Sequence, residues 1–149
     1  MITAHEVLLC FEVPGRPRGK GRPRLTRSGR AYTPAQTRKY EAAIQSAARD
    51  AMGATMPHTG ALVLEVDAYH SRPAKPAKGH PCRGMGPAPA PLSMGGSRYP
   101  DADNILKAAA DALNGVAYRD DAQLWAVTCR RWWCGVGDAP RLVVTLLRA

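Results

Sequence analysis

At 149 residues, with a formal net charge of +9 and a pI near 9.9, the chain is sized for one compact domain and suited to an anionic partner, nucleic acid or an acidic membrane surface. No apolar run reaches the roughly 18 residues a membrane-spanning helix needs, and the N-terminus lacks the basic-then-apolar order of a secretory signal. Cys10, Cys82, Cys129 and Cys134 form no CxxC pair, which argues against a disulfide framework and for a reducing cytoplasm. His80-Pro81-Cys82, with His70, falls short of the four ligands at recognisable spacing that zinc requires.

Glu6 to Val13 reads as a buried strand ended by Pro14-Gly15. A basic arm follows at about 15–33. Its core, Arg16-Pro-Arg-Gly-Lys-Gly-Arg-Pro-Arg24, continues to Arg30, and the mixture of Pro, Gly and like charge excludes a regular element. From Val13 to Tyr40 there are nine Arg or Lys residues and no Asp or Glu, so Arg16, Arg18, Lys20, Arg22, Arg24, Arg27 and Arg30 are the candidate phosphate-gripping residues. Thr33-Pro34 predicts a helix start, with Thr33 as N-cap, running to about Met52 and stopping at Gly53. Tyr40, Ala43, Ile44, Ala47 and Ala51 are its expected apolar stripe.

Ala61 to His70 alternates Leu62, Leu64, Val66 and Ala68 on one face and predicts a half-buried strand. Ser71 to Tyr99 holds six prolines and five glycines and reads as a long loop, a feature that signals either function or disorder. A second helix is expected over about Asn104 to Leu113, closed by Asn114-Gly115. Leu124 to Cys134 and Arg141 to Leu147 then predict two strands paired as a hairpin. The order β-α-β-loop-α-β-β specifies an α+β fold, a small mixed sheet of about four strands with two main helices on one face, in a single domain over 1–149.

Five Asp residues and two bases stand between Asp101 and Asp121. At about 100° per residue, Ile105, Leu106, Ala109, Ala112 and Leu113 share one arc of the helix, and Asp103, Asn104, Lys107 and Asp111 share the other. Helix capping and i,i+4 ion pairing account for some of this charge, each worth about 0.3–1 kcal/mol. Capping needs only one Asp. If Asp120-Asp121 returns beside the helix start, at least three carboxylates converge, and such a cluster repels itself without a divalent cation. Oxygen ligands without clustered His or Cys suit Mg²⁺ or Mn²⁺. The segment does not fit an EF-hand, because Leu106 stands where the loop requires Gly.

A cation held by carboxylates beside a lysine, in a basic chain, fits phosphodiester hydrolysis. The metal would polarise the scissile phosphate and lower the pKa of an attacking water. Lys107 would stabilise developing charge or orient that water, and the arm would supply salt-dependent affinity.

The run Tyr99-Pro-Asp-Ala-Asp-Asn-Ile-Leu-Lys107, then Asp111-Ala-Leu-Asn-Gly-Val-Ala-Tyr118, then Asp120-Asp121-Ala-Gln123, closely resembles the signature of the RusA family. Pro14-Gly15 and Lys20-Gly-Arg-Pro-Arg24 also resemble that family's N-terminal pattern. These are crossover-junction endodeoxyribonucleases, Holliday junction resolvases often carried by phages and prophages. The resemblance implies a Mg²⁺-dependent homodimer that nicks a four-way junction on two opposed strands in DNA recombination and repair. It assigns metal roles to Asp101, Asp103 and Asp121, with Asp120 ranked second, and an essential catalytic role to Lys107. Asp111 is read as structural, anchoring the helix or Lys107. The loop at about 71–99 is longer than the family needs.

Trp125, Trp132 and Trp133 are expected mainly in packing, with one left to stack on an unpaired base or to serve a dimer contact. Two other readings stand beside the junction nuclease. One is a non-catalytic branched- or single-stranded-DNA-binding protein; the other is a less selective flap or duplex nuclease using the same site.

Overall fold

The computed structural model describes residues 4–96 and 98–149. Met1–Thr3 and Ser97, the last within the expected 71–99 loop, lie outside the described residues. In chain order the elements are β1 (Val7–Pro14), β2 (Arg24–Leu25), β3 (Ala31–Tyr32), α1 (Ala35–Met52), β4 (Leu62–His70), β5 (Ala90–Pro91), α2 (Ala102–Leu113), β6 (Leu124–Trp133) and β7 (Arg141–Arg148).

The α+β class holds: two helices pack on a five-stranded mixed sheet ordered β1-β7-β4-β6-β5, with β2 and β3 forming a separate small hairpin. One apolar layer joins them. Leu9, Phe11 and Val13 of β1, Leu62, Leu64, Val66 and Ala68 of β4, and Leu142, Val144 and Leu146 of β7 point into it. α1 closes it with Tyr40, Ile44, Ala48 and Met52, and α2 with Ile105, Ala108, Ala109, Ala112 and Leu113.

The expected hairpin of the last two strands does not form. β4 lies between them, parallel to β6 and antiparallel to β7. The reason is burial: Leu62, Val63, Leu64, Val66 and Ala68 are all buried, and an apolar strand gains most with a partner on each edge. β6, carrying Arg130 and Arg131, lies toward the margin. Its far edge pairs with β5, a strand that the proline-rich composition of the loop concealed. On the helix-free face Arg130 binds Asp67 and Glu65, and Trp132 Nε1 donates to Asp67 at 2.8 Å. Tyr69 and Trp132 stack on that face.

Two helix boundaries and one stripe also differ from expectation. Pro34, not Thr33, occupies the cap position of α1 (φ −54°, ψ 144°), without a side-chain cap bond. The stripe of α1 runs Thr37, Tyr40, Ile44, Ala48, Met52, whereas Ala43 and Ala51 are exposed. An alanine methyl carries little burial energy, so Tyr40, Ile44 and Met52 set which side turns inward. α2 begins at Ala102, two residues before the expected start.

The 71–99 loop is folded against the sheet end. Cys82, Leu92 and Tyr99 surround the fully buried Trp133, with Met85 and Met94 packed on them. Arg72 ties the loop together by donating to the carbonyls of Cys134, Gly86 and Ala88.

Candidate active site

The basic arm is a wall of the site and not a free tail. The Lys20 N–H donates to the Asn104 carbonyl at 3.0 Å, which seats the arm on the first turn of α2. The Gly21 N–H donates to Thr37 Oγ1 at 3.0 Å, which seats it on α1. Both contacts need glycine. A Cβ on Gly19 would lie 2.9 Å from Pro100 Cβ and 3.0 Å from Asn104 Cβ; one on Gly21 would lie 2.8 Å from Thr37 Oγ1. Beyond Pro23 the arm forms the β2–β3 hairpin around a Thr26–Gly29 turn, a regular element where none was expected. Arg24 lies on β2, and Arg27 and Arg30, also exposed, on the hairpin's turn and its exit.

The arm and α2 enclose two adjoining hollows. The first, about 590 Å³, is lined by Arg16, Arg18, Lys20 and Arg22 with Asp101 and Asn104 on its far side. The second, about 500 Å³, holds Lys107, Asp111 and Asp121. Lys20, Gly21, Arg22 and Asn104 line both and form the ridge between them. Asp101 and Asp121 thus face different hollows.

Asp101 occupies the N-cap position of α2 (φ −63°, ψ 153°) yet makes no side-chain cap bond, so its carboxylate is not consumed by capping. Asp103 sits in the first turn; its charge falls on Cys129 of β6, whose thiol burial first, then Asp67, pushes up to about 11. Asp111 does not anchor Lys107. It pairs with Lys20, whose ammonium is also 3.6 Å from Glu41. The hydrogen bond to Asp111, then the neighbouring negative charges, outweigh burial and raise the Lys20 pKa. Lys107 is exposed and has no ion-pair partner among the described residues.

Asp120 and Asp121 divide their work. The Asp120 carboxylate accepts from the Ala122 N–H at 2.8 Å and caps the single 3₁₀ turn Asp121–Gln123. Gln123 Oε1 accepts from the N–H groups of Arg119 and Asp120, at 3.0 and 3.2 Å. Its Nε2 donates to the carbonyls of His58 and Gly60. Asp121, the first residue of that turn, lines the second hollow together with Lys107. Burial, then the charges of Asp121 and Asp111, raise the pKa of Tyr118, whose hydroxyl donates to the Ala110 carbonyl at 2.7 Å. Gln123 was missed as a positioning residue, although Asp120-x-x-Gln123 carries capping-box spacing. Gly19, Gly21, Asn104 and Thr37 were missed too, since only the folded arm reveals them.

The oxygen donors Asp101, Asp103 and Asp121 suit a hard divalent cation by chemistry. Among the described residues no three His, Cys, Asp or Glu side chains are grouped to hold a metal ion. The same holds for His70, His80 and Cys82, which lie around the Tyr99 and Trp133 rings.

No curated protein matches the chain. Across residues 14–147 it matches the family model described as endodeoxyribonuclease RusA, a span that takes in the arm, both helices and both hollows, and the chain therefore belongs to the RusA endodeoxyribonuclease family.

Proposed function

We propose that this protein is a Mg²⁺-dependent endodeoxyribonuclease, with Mn²⁺ able to substitute, that resolves four-way DNA junctions by paired symmetric nicks. One observation carries the reading: a cationic cleft built by Arg16–Arg22 is walled by the helix that presents Asp101, and it adjoins a second hollow containing Lys107 and Asp121. Arg16, Arg18, Lys20 and Arg22 line the cleft with a single carboxylate among its described residues, Asp101, so phosphate affinity is supplied where the acid would oppose it. Lys107, exposed and unpaired, is free to stabilise charge developing on the scissile phosphate. Asp101, Asp103 and Asp121 are the proposed metal-binding carboxylates. Asp120 takes a lesser part, because its carboxylate is engaged in capping.

A homodimer belongs to the same proposal. One two-fold axis would give each of two like strands its own active site. Trp125, 71% exposed and lining a hollow with Arg119 and Gln123, is the proposed stacking partner for an unpaired base. No helix of the described residues is long and apolar enough to cross a membrane. Action on DNA in a bacterial cytoplasm, from a host or prophage copy, fits the nuclease.

The test is cleavage of a synthetic four-way junction in competition with flap and linear duplex DNA, with Mg²⁺ and with chelator. Preferential, paired, metal-dependent nicking of the junction is expected. Equal cutting of all three substrates would replace junction resolution by general nuclease activity. Binding without cutting would leave a branched-DNA-binding protein.

A further inference from the structure

A smaller hollow, about 100 Å³, lies at the end of β4 and is lined by Arg16, His70, Ser71, Arg98 and Tyr99. His70 is 2% exposed, and neither of its ring nitrogens has a hydrogen-bond partner among the described residues. A buried polar group left this way costs stability, so its surroundings ought to offer a compensating ligand. The described residues do not supply one. Tyr99 meets the imidazole edge-on at 5.7 Å, and the nearby charged groups acting on it are the guanidinium groups of Arg131 and Arg16.

The chemistry of the lining is one-sided. Arg16 and Arg98 are cationic, Ser71 brings a hydroxyl, and neutral His70 brings one ring N–H; no carboxylate lines the hollow. Arg131 stands alongside, donating to the Met94 carbonyl at 2.6 Å. These are donors for a tetrahedral oxyanion. Arg16 also lines the cleft that contains Asp101, and Tyr99 leads through Pro100 directly into Asp101. The small hollow and the cleft therefore share the Arg16 guanidinium.

We propose that this hollow binds one backbone phosphate of the DNA, flanking the phosphate cut at Asp101, with Arg16, Arg98, the Ser71 hydroxyl and a His70 N–H as donors. The proposal rests on the nuclease reading above. It gives the proline-rich loop a task, since that loop brings Arg98 and Tyr99 to the sheet end. Free inorganic phosphate has the same chemistry, and the test separates the two sources.

The experiment follows the His70 ring nitrogens by long-range ¹⁵N–¹H NMR in the full chain, titrated with a four-way junction in chelator and, separately, with inorganic phosphate. The ring signals should move with the junction and saturate with binding, and inorganic phosphate should leave them in place. Arg98→Ala should keep the folded amide spectrum, lose the ring shift, and lower the slope of log affinity against log salt by about 0.9. Ring signals unmoved at a saturating junction, or an unchanged slope in Arg98→Ala, overturn the proposal. An equal shift with inorganic phosphate overturns the DNA assignment. A chain that binds and cuts the junction with His70 silent sinks this inference alone, whereas a chain that does neither sinks the nuclease reading with it.

Discussion

Lys20 of the arm closes on Asp111 of α2, with the Glu41 carboxylate of α1 3.6 Å from the same ammonium. The contact joins the basic and acidic stretches of the chain, which are far apart in sequence, and makes them the two walls of one cleft. It also takes Asp111, one of the two acids, with Asp103, that helical spacing offers Lys107, and Lys107 has no ion-pair partner among the described residues. The arm is thereby held in place before any DNA arrives.

If that latch holds the arm, Asp111→Asn should release it. A partly exposed pair is worth up to about 1 kcal/mol, which corresponds to about a 5-fold larger open population. Trypsin should then cut faster by about that factor after Arg18 and Lys20, which glycine follows; Arg16 and Arg22, each followed by proline, resist it in any case. An unchanged cleavage rate would show that the backbone contacts alone fix the arm.

Gly19→Ala tests the seating on α2 directly. The added methyl meets Pro100 and Asn104 at 3.0 Å or less and must push the arm away from Asp101. Nicking should fall by about 10-fold or more through misplacement, with little change in melting temperature. Wild-type nicking in the variant would detach the arm from the chemistry.

Gln123→Ala should act through Asp121. It removes the amide that accepts from Arg119 and Asp120 and donates to His58 and Gly60. The expected outcome is a fall in kcat of up to about 10²-fold with junction affinity preserved, and Gln123→Glu, which keeps the acceptor, should recover part of it. Loss of affinity in place of kcat would make Gln123 a DNA contact and not a positioning residue.

His70 gives the fold a pH signature. Burial, then the charges of Arg131 and Arg16, lower its pKa from 6.5 to about 4. The unfolded chain therefore binds more protons between those values, so this stability is complete above 6.5 and is lost as pH falls toward 4. It amounts to ~3 kcal/mol. Urea unfolding of wild type and His70→Gln should converge by that amount between pH 7 and pH 4. Parallel pH dependence of the two would contradict it.

Much of this was legible because the chemistry of the signature segment is local. Asp103 and Lys107 share the polar face that helix periodicity exposes, Asp101 sits in the extended lead-in, and β1 and β4 follow from their apolar patterns. What escaped depends on partners distant in sequence. The pairing of β6 with β4 is decided by where the most apolar strand must lie, which no window around Gly135–Pro140 encodes. Thr33 looked like a cap because a hydroxyl precedes proline, but the bond that matters at that end is made by Thr37 to the arm. The expected meeting of three carboxylates assumed that Asp120-Asp121 returns to the start of α2. Asp121 instead lines the hollow with Lys107 and Asp111, on the other side of the Lys20–Arg22 ridge from Asp101.

The proposed chemistry requires Asp101 and Asp121 jointly, each from its own hollow. The most direct measurement is single-turnover cleavage of a four-way junction with Mg²⁺ by Asp101→Asn and by Asp121→Asn, alongside their junction affinities. Each variant should lose cutting while binding the junction as tightly as wild type or more so, since a negative charge near phosphate has been removed. Cutting at the wild-type rate by either variant would contradict the site assigned here.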